Sequence, residues 1–293
     1  MSGAKPTVLV TGATGYVASQ MLPTFRERYD LRLIDVRDTD RDGKRVEGAQ
    51  VASMLDGPDE EIRPLFTGAD AVVHLAYHRG SLTTGPSGDG RDFEDEAPNV
   101  AMANRVYRLA LQEGVRRVVV ASSNHAADWY EELLHVGKMD IVDPDRTPPR
   151  SDNFYGWSKL AYESLGFLYA SGSRGRKLEN VQVRIGAPRP IVAARFFPNG
   201  PNGDGANPMG YKRDLGAYIS PRDLTQLFVK SIENENIEDE NDIPFQVFYG
   251  ISGNTRAFWS IVNARKVIGY CPADDSEITY ASDILAHLTA NTE

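Results

Sequence analysis

Thr11-Gly12-Ala13-Thr14-Gly15-Tyr16-Val17-Ala18 follows a short apolar run at residues 7–10 and opens a stretch of helical composition. A strand, a turn of small residues and a helix, in that order, let backbone come close to a phosphate. The missing side chains of Gly12 and Gly15 permit the approach, and the amides and positive dipole end of the helix receive the anion. The Gly-x-x-Gly-x-x-Ala spacing is a variant of the dinucleotide fingerprint, with an ordinary tight turn as the lesser alternative. Gly12, Gly15, Tyr16 and Val17 are therefore candidate cofactor contacts.

Outward from this turn, β-branched runs recur at 31–36, 71–76, 117–122 and 181–185, separated by helical stretches at 16–29, 60–66, 98–113 and 154–171. Strands alternating with helices predict an α/β fold, a doubly wound parallel sheet of the Rossmann kind covered on both faces. Pro23 is expected to kink or shorten the first helix. Residues 77–96, rich in Gly, Ser, Thr and Asp, and 188–215, rich in Pro, Gly and Asn, break the alternation. Both are expected above the carboxyl ends of strands, where open sheets take ligands. A helix at 221–234, an acidic turn at 235–242 and a strand at 246–251 read as a small C-terminal substrate lobe. The expected division is a cofactor-binding Rossmann domain over 1–186 and a mixed region of covering loops and lobe over 187–293.

The 293 residues can bury a large core, and 41% apolar with 25% charged content is that of an ordinary soluble protein. A net charge of −9 without a basic stretch excludes tracking of a nucleic-acid backbone and favours a small-molecule partner. Cys271 is the only cysteine, which excludes an internal disulfide and a cysteine-based metal cluster and predicts a reducing, cytoplasmic setting. With no signal-like segment after Met1 and no apolar run of spanning length, no membrane association is expected.

Asp35 ends the second strand about 20 residues beyond the glycines, where a carboxylate accepts hydrogen bonds from ribose hydroxyls and repels a 2′-phosphate. This favours NAD over NADP, although Arg37, two residues on, suits a phosphate. Val36 and Leu55 are neighbouring candidates, and Asp56 is placed either to meet the adenine or to cap the next helix. Tyr155-Gly156-Trp157-Ser158-Lys159 puts a phenol and an ammonium on one helical face. A phenol of pKa about 10 is a poor base at neutral pH, and a nearby ammonium favours its phenolate. Tyr155 can then take a hydroxyl proton while hydride leaves for the cofactor. Ser123 and Asn124, at the end of the strand before this helix, are candidates to hold the reacting oxygen, with turn capping as the alternative.

These residues together resemble the extended short-chain dehydrogenase/reductase family through Thr11-Gly12-x-x-Gly15-x-x-Ala18, Asp35, His74-Leu75-Ala76, Asn99-Val100, Ala121-Ser122-Ser123 and Tyr155-x-x-x-Lys159. Within it the chain is most similar to the uronate dehydrogenases, through Ser122-Ser123-Asn124-His125, Tyr155-Gly156-x-Ser158-Lys159 and Val183-Arg184-Ile185-Gly186. The resemblance implies oxidation of a hexuronate at C1 to its lactone, with NAD as cofactor and no metal. It implies cofactor contacts from Leu75, Ala76, Tyr77, Asn99, Ala121, Ser122, Tyr155, Lys159 and Ile185. It also implies sugar contacts from Ser123, Asn124 and His125, a carboxylate clamp at Arg184, and a homo-oligomer. An ion pair at a strand end is the plainer reading of Arg184, and a structural histidine that of His125. Tyr77-His78-Arg79 stands where those enzymes have small residues. His78 and Arg79 become further substrate candidates, and the extra positive charge makes a hexose 6-phosphate the alternative substrate. A nucleotide-sugar epimerase or dehydratase and a non-catalytic NAD-responsive protein are further readings.

Overall fold

A computed structural model describes residues 4–80 and 92–288. In chain order the elements are β1 (Thr7–Thr11), α1 (Tyr16–Arg28), β2 (Asp30–Asp35), β3 (Ala49–Val51), α2 (Asp59–Phe66), β4 (Ala71–His74), α3 (Phe93–Gln112) and β5 (Arg117–Ser123). A 3-10 segment (Asn124–Tyr130), α4 (Glu131–His135), α5 (Phe154–Ala170) and β6 (Glu179–Ile185) follow. A short 3-10 turn (Ala193–Arg195), α6 (Pro208–Ala217), α7 (Pro221–Glu233), β7 (Phe245–Gly250), α8 (Val262–Ile268), α9 (Ser276–Thr279) and α10 (Ala281–Leu288) complete the chain.

Seven strands, all parallel, form one sheet in the order β3-β2-β1-β4-β5-β6-β7. Both faces of the central strands are buried, and alternation along the pleat sends successive side chains to opposite cores. Val8 and Val10 of β1 join Met21 and Phe25 of α1 and Leu224 and Phe228 of α7 on one face. Leu9, between them, joins Phe66 of α2, Met102 and Val106 of α3 and Tyr162 of α5 on the other. The sheet reverses direction of growth between β1 and β4, and the crevice at the carboxyl ends of those strands is where such sheets take ligands.

The helix at Pro23 differs from expectation. α1 runs unbroken from Tyr16 to Arg28 through the proline, with Met21, Leu22 and Phe25 packed into the core on either side of it. α3 begins at Phe93, five residues before the expected start. Asp92 accepts from the Asp95 amide at 3.2 Å as its cap, and Glu94, Asp95 and Glu96 suit its positive end. Residues 81–91 of the first excursion lie outside the described residues.

Part of the region beyond residue 186 continues the sheet. β7 pairs with β6 from Asn180 to Ile185, and α7 packs on α1, their ends joined by a bidentate Arg28–Glu233 pair at 2.9 and 2.7 Å. Among the described residues a small third cluster, which includes Ile191, Phe197, Tyr211, Leu215 and Ile284, forms a core separate from the two on the sheet.

Candidate active site

The turn after β1 is built for close approach. Gly12 has φ +71°, and a Cβ there would lie 2.5 Å from the Ala76 amide nitrogen, so only glycine lets β1 and the end of β4 meet. Asp35 ties the turn to β2. One of its oxygens accepts from the Thr14 amide and hydroxyl at 3.0 and 2.8 Å, and the other from the Val36 amide at 2.7 Å.

A cleft of about 900 Å³ opens over this turn. Of the expected contacts, Gly12, Gly15, Tyr16, Val17, Asp35, Val36, Leu55, Asp56, Leu75, Ala76, Tyr77, His78 and Arg79 line it. Asp56 does not cap α2, whose first residue is preceded by Pro58 with no side-chain cap. Its loop is held instead by buried Arg105, which donates to the carbonyls of Asp56 and Gly57 at 3.1 and 2.8 Å. Arg41, overlooked in the sequence because it sits in a charged loop without periodicity, also lines the cleft and lies 4.4 Å from the Tyr16 ring centroid. A pyrophosphate-sized backbone cradle, a carboxylate at the ribose end and an apolar wall at Leu55 and Met102 fit a dinucleotide.

Tyr155 and Lys159 stand at the Tyr77 end of the cleft. The Tyr155 ring meets the Tyr77 ring edge-on at 5.7 Å and the His125 ring at 5.5 Å. Lys159 Nζ lies 4.7 Å from the Tyr77 ring centroid and 4.9 Å from those of Tyr155 and Tyr162. The lysine is 5% exposed, and ring faces around a desolvated ammonium stabilise its charge. Below them Glu96, fully buried, accepts from the Tyr77 hydroxyl, from Ser158 Oγ at 2.6 Å and from Asn99 Nδ2 at 3.3 Å. His74 bonds Thr11 Oγ1 at 2.7 Å. Burial first, then the Lys159 charge, push the His74 imidazole down to about 3.

The residues at the end of β5 divide. Ser123 caps the 3-10 segment, its hydroxyl accepting from the His125 amide at 3.3 Å, as the capping alternative has it. Asn124 is 1% exposed, and its Nδ2 is buried without a hydrogen-bond partner among the described residues. Ala121 offers its carbonyl to the Tyr162 hydroxyl at 3.3 Å. Ile185 lies in the core of the β6 face.

Three expectations need correction. Ser122 donates to Glu163 at 2.5 Å, away from the cleft. Arg184, 1% exposed, is forked onto both oxygens of the same Glu163 at 2.9 and 2.8 Å and donates to Tyr249 at 3.1 Å, so its guanidinium is already satisfied. Asn99 spends its amide on the backbone of His78, accepting at 2.7 Å and donating at 2.9 Å. It braces the loop that carries Tyr77 and Arg79. Among the described residues, no three His, Cys, Asp or Glu side chains gather as a metal site, and no helix is long and apolar enough to cross a membrane.

Comparison with known proteins agrees with this geometry. The sequence pattern of the NAD dependent epimerase/dehydratase family matches residues 8–180. An NAD-dependent glucose-6-phosphate dehydrogenase of Haloferax volcanii is 33% identical over 95% of this chain and 97% of its own. A uronate dehydrogenase of Pseudomonas syringae pv. tomato is 28% identical over 92% of this chain and 83% of its own. The crystal structure of uronate dehydrogenase from Agrobacterium tumefaciens superposes with a TM-score of 0.70 at 25% identity, covering 99% of this chain and 91% of that one.

Proposed function

The chain belongs to the NAD dependent epimerase/dehydratase family and is an NAD-dependent oxidoreductase of the extended short-chain type; from that premise we propose that it oxidises the C1 hydroxyl of an anionic sugar, a hexuronate, to the lactone. The observation that carries this reading is the meeting of Tyr155, Lys159 and Tyr77 at one end of the dinucleotide cleft.

Tyr155 takes the C1 hydroxyl proton, and the Lys159 ammonium, 4.9 Å from its ring, favours the phenolate that does so. Bound NAD supplies the hydride acceptor, so that loss of the C1 hydride and the hydroxyl proton leaves the lactone carbonyl. Asp35 holds the ribose end, and the backbone of Gly12 to Val17 receives the pyrophosphate. Asn124 Nδ2 donates to a sugar oxygen, His125 contacts a neighbouring hydroxyl, and His78 and Arg79 face the anionic group. The Tyr77 and His125 rings flank the phenol edge-on and set its orientation in the site.

Arg79 lines the cleft and pairs with no carboxylate among the described residues, whereas Arg184 is sealed against Glu163. That favours, as a second reading, a hexose 6-phosphate, whose dianion draws more from a guanidinium in the cleft than a carboxylate does. Its chain-length likeness to the Haloferax enzyme supports the same reading. Steady-state NADH production with glucuronate, galacturonate, glucose 6-phosphate and glucose separates the two. Turnover of the uronates supports the first, turnover of glucose 6-phosphate alone replaces it with the second, and equal use of uncharged glucose removes the anion from the account. No turnover with any of the four defeats both.

A further inference from the structure

His125 and Tyr155 meet ring to ring, but the imidazole is held from its other side. Its Nδ1 lies 3.0 Å from Asp128 Oδ2, and the same oxygen accepts from Asn153 Nδ2 at 2.7 Å. Asn153 in turn accepts from the Gly156 amide at 2.9 Å and so caps the helix that carries Tyr155 and Lys159. Between His125 and Asp128 the 3-10 segment is broken at Ala127, where φ is −140°. The Asp128 side chain keeps 10% of its surface while that of His125 keeps 41%. This is unlike a solvent-exposed ion pair, in which both partners are free to move.

Burial alone raises the Asp128 carboxyl, but hydrogen bonds from His125, Asn153 and Ser151 outweigh it and hold the group below the ordinary carboxylate range. The carboxylate is then an anion with no proton to give, so the nitrogen facing it must be the one that bears hydrogen. A neutral imidazole has a single N–H, and spending it on Asp128 leaves Nε2 as a lone-pair acceptor.

We infer that Asp128 is a positioning residue for sugar recognition: it fixes His125 as the Nδ1–H tautomer, so that Nε2 accepts a hydrogen bond from a substrate hydroxyl, and through Asn153 it registers that imidazole against the helix bearing Tyr155. The sugar-contact half of this rests on the function proposed above, whereas the tautomer half does not. Because one carboxylate oxygen serves both His125 and the helix cap, a shift of either moves the hydroxyl-reading nitrogen relative to the phenol. A sugar analogue lacking the hydroxyl that Nε2 reads loses the contact.

The test is a two-bond nitrogen–proton correlation spectrum of protein labelled with 15N-histidine, taken near pH 8.5, about two units above the ordinary imidazole value. A His125→Gln variant identifies the resonances. The expected pattern is a protonated Nδ1 and an unprotonated Nε2, and an Nε2–H form in the wild type overturns the inference. In D128N the amide can donate to Nδ1, and the Nε2–H form becomes populated. The same variant is expected to raise the sugar KM by roughly 10- to 100-fold, with kcat within about threefold and the NAD KM within about twofold. Equal losses for sugar and NAD, tracking a lowered melting temperature, mark a merely structural residue and count against the inference. So does an unchanged sugar KM in D128N. If the wild type turns over no sugar, the proposed function and the hydroxyl contact fail together, and the spectrum still decides the tautomer.

Discussion

Gly156 lies directly after Tyr155, and a Cβ built on it would collide with the carbonyl of His125 and the hydroxyl of Ser151. The His125 carbonyl is backbone, so its part of the collision cannot be relieved by a side-chain turn. Gly156→Ala is expected to cost about 1–3 kcal/mol in urea unfolding and to reduce turnover by displacing the neighbouring phenol. Tyr155→Phe keeps the ring and removes the acid–base group. It should lower kcat at least about 100-fold in an NADH assay while NAD affinity, followed by fluorescence titration, stays within about threefold. The meeting of Tyr155 and Lys159 and the tight turn at Gly12 could be read from the sequence because each depends on a short spacing, and the place of Asp35 because it ends a strand that apolar periodicity marks. Arg184 could not, since its type and strand-end position suit a carboxylate ligand equally well. Its partner Glu163 stands 21 residues earlier on another element, and only the packed structure shows which face of β6 it takes. The same distance problem hides Asp128, whose link to Asn153 spans 25 residues.

Between α5 and β6 the Glu163–Arg184 pair is buried with Ser122 and Tyr249 around it. Burial lowers the charged arginine's stability, but Glu163 outweighs that and raises its pKa above the ordinary range. Arg184→Ala leaves a carboxylate buried without its partner, and we expect a loss of about 3–5 kcal/mol in urea unfolding. Replacing both charges by methionine should restore most of that loss, which distinguishes a structural pair from a substrate clamp. If Arg184→Ala instead keeps wild-type stability and raises only the sugar KM, the pair is not structural. Helix and strand positions followed well from apolar periodicity, as α2 and α5 illustrate. The start of α3 was missed because its cap, Asp92, sits at the end of a Gly, Ser and Asp-rich stretch that reads as loop. β7 was legible as a strand but not as a sheet member, because pairing with β6 across 59 intervening residues, 186–244, leaves no local mark.

Across the molecule, several groups titrate so as to weaken the fold in acid. His74 has its value depressed from 6.5 to about 3 by burial and by Lys159, so the unfolded chain takes up that proton first as pH falls. Its contribution is complete above about pH 6.5 and is lost progressively towards pH 3. Asp59, held down to about 2 chiefly by a hydrogen bond from Arg108, contributes above the ordinary carboxylate range and loses that contribution below it. Asp274, lowered mainly by Ser220, acts with the same sign. The urea midpoint should therefore fall steadily from pH 6.5 to pH 3. His74→Asn should flatten the upper part of that decline, and an unaltered slope between pH 6.5 and 4.5 would show that the histidine titrates normally. The parallel pairing of β7 also bears on the nascent chain. When β6 has left the ribosome its outer edge has no neighbour, and 59 more residues must be polymerised before the closing strand begins. At about 5–20 residues per second that interval is about 3–12 s, during which the unpaired backbone of β6 is a template for other chains and a substrate for chaperones.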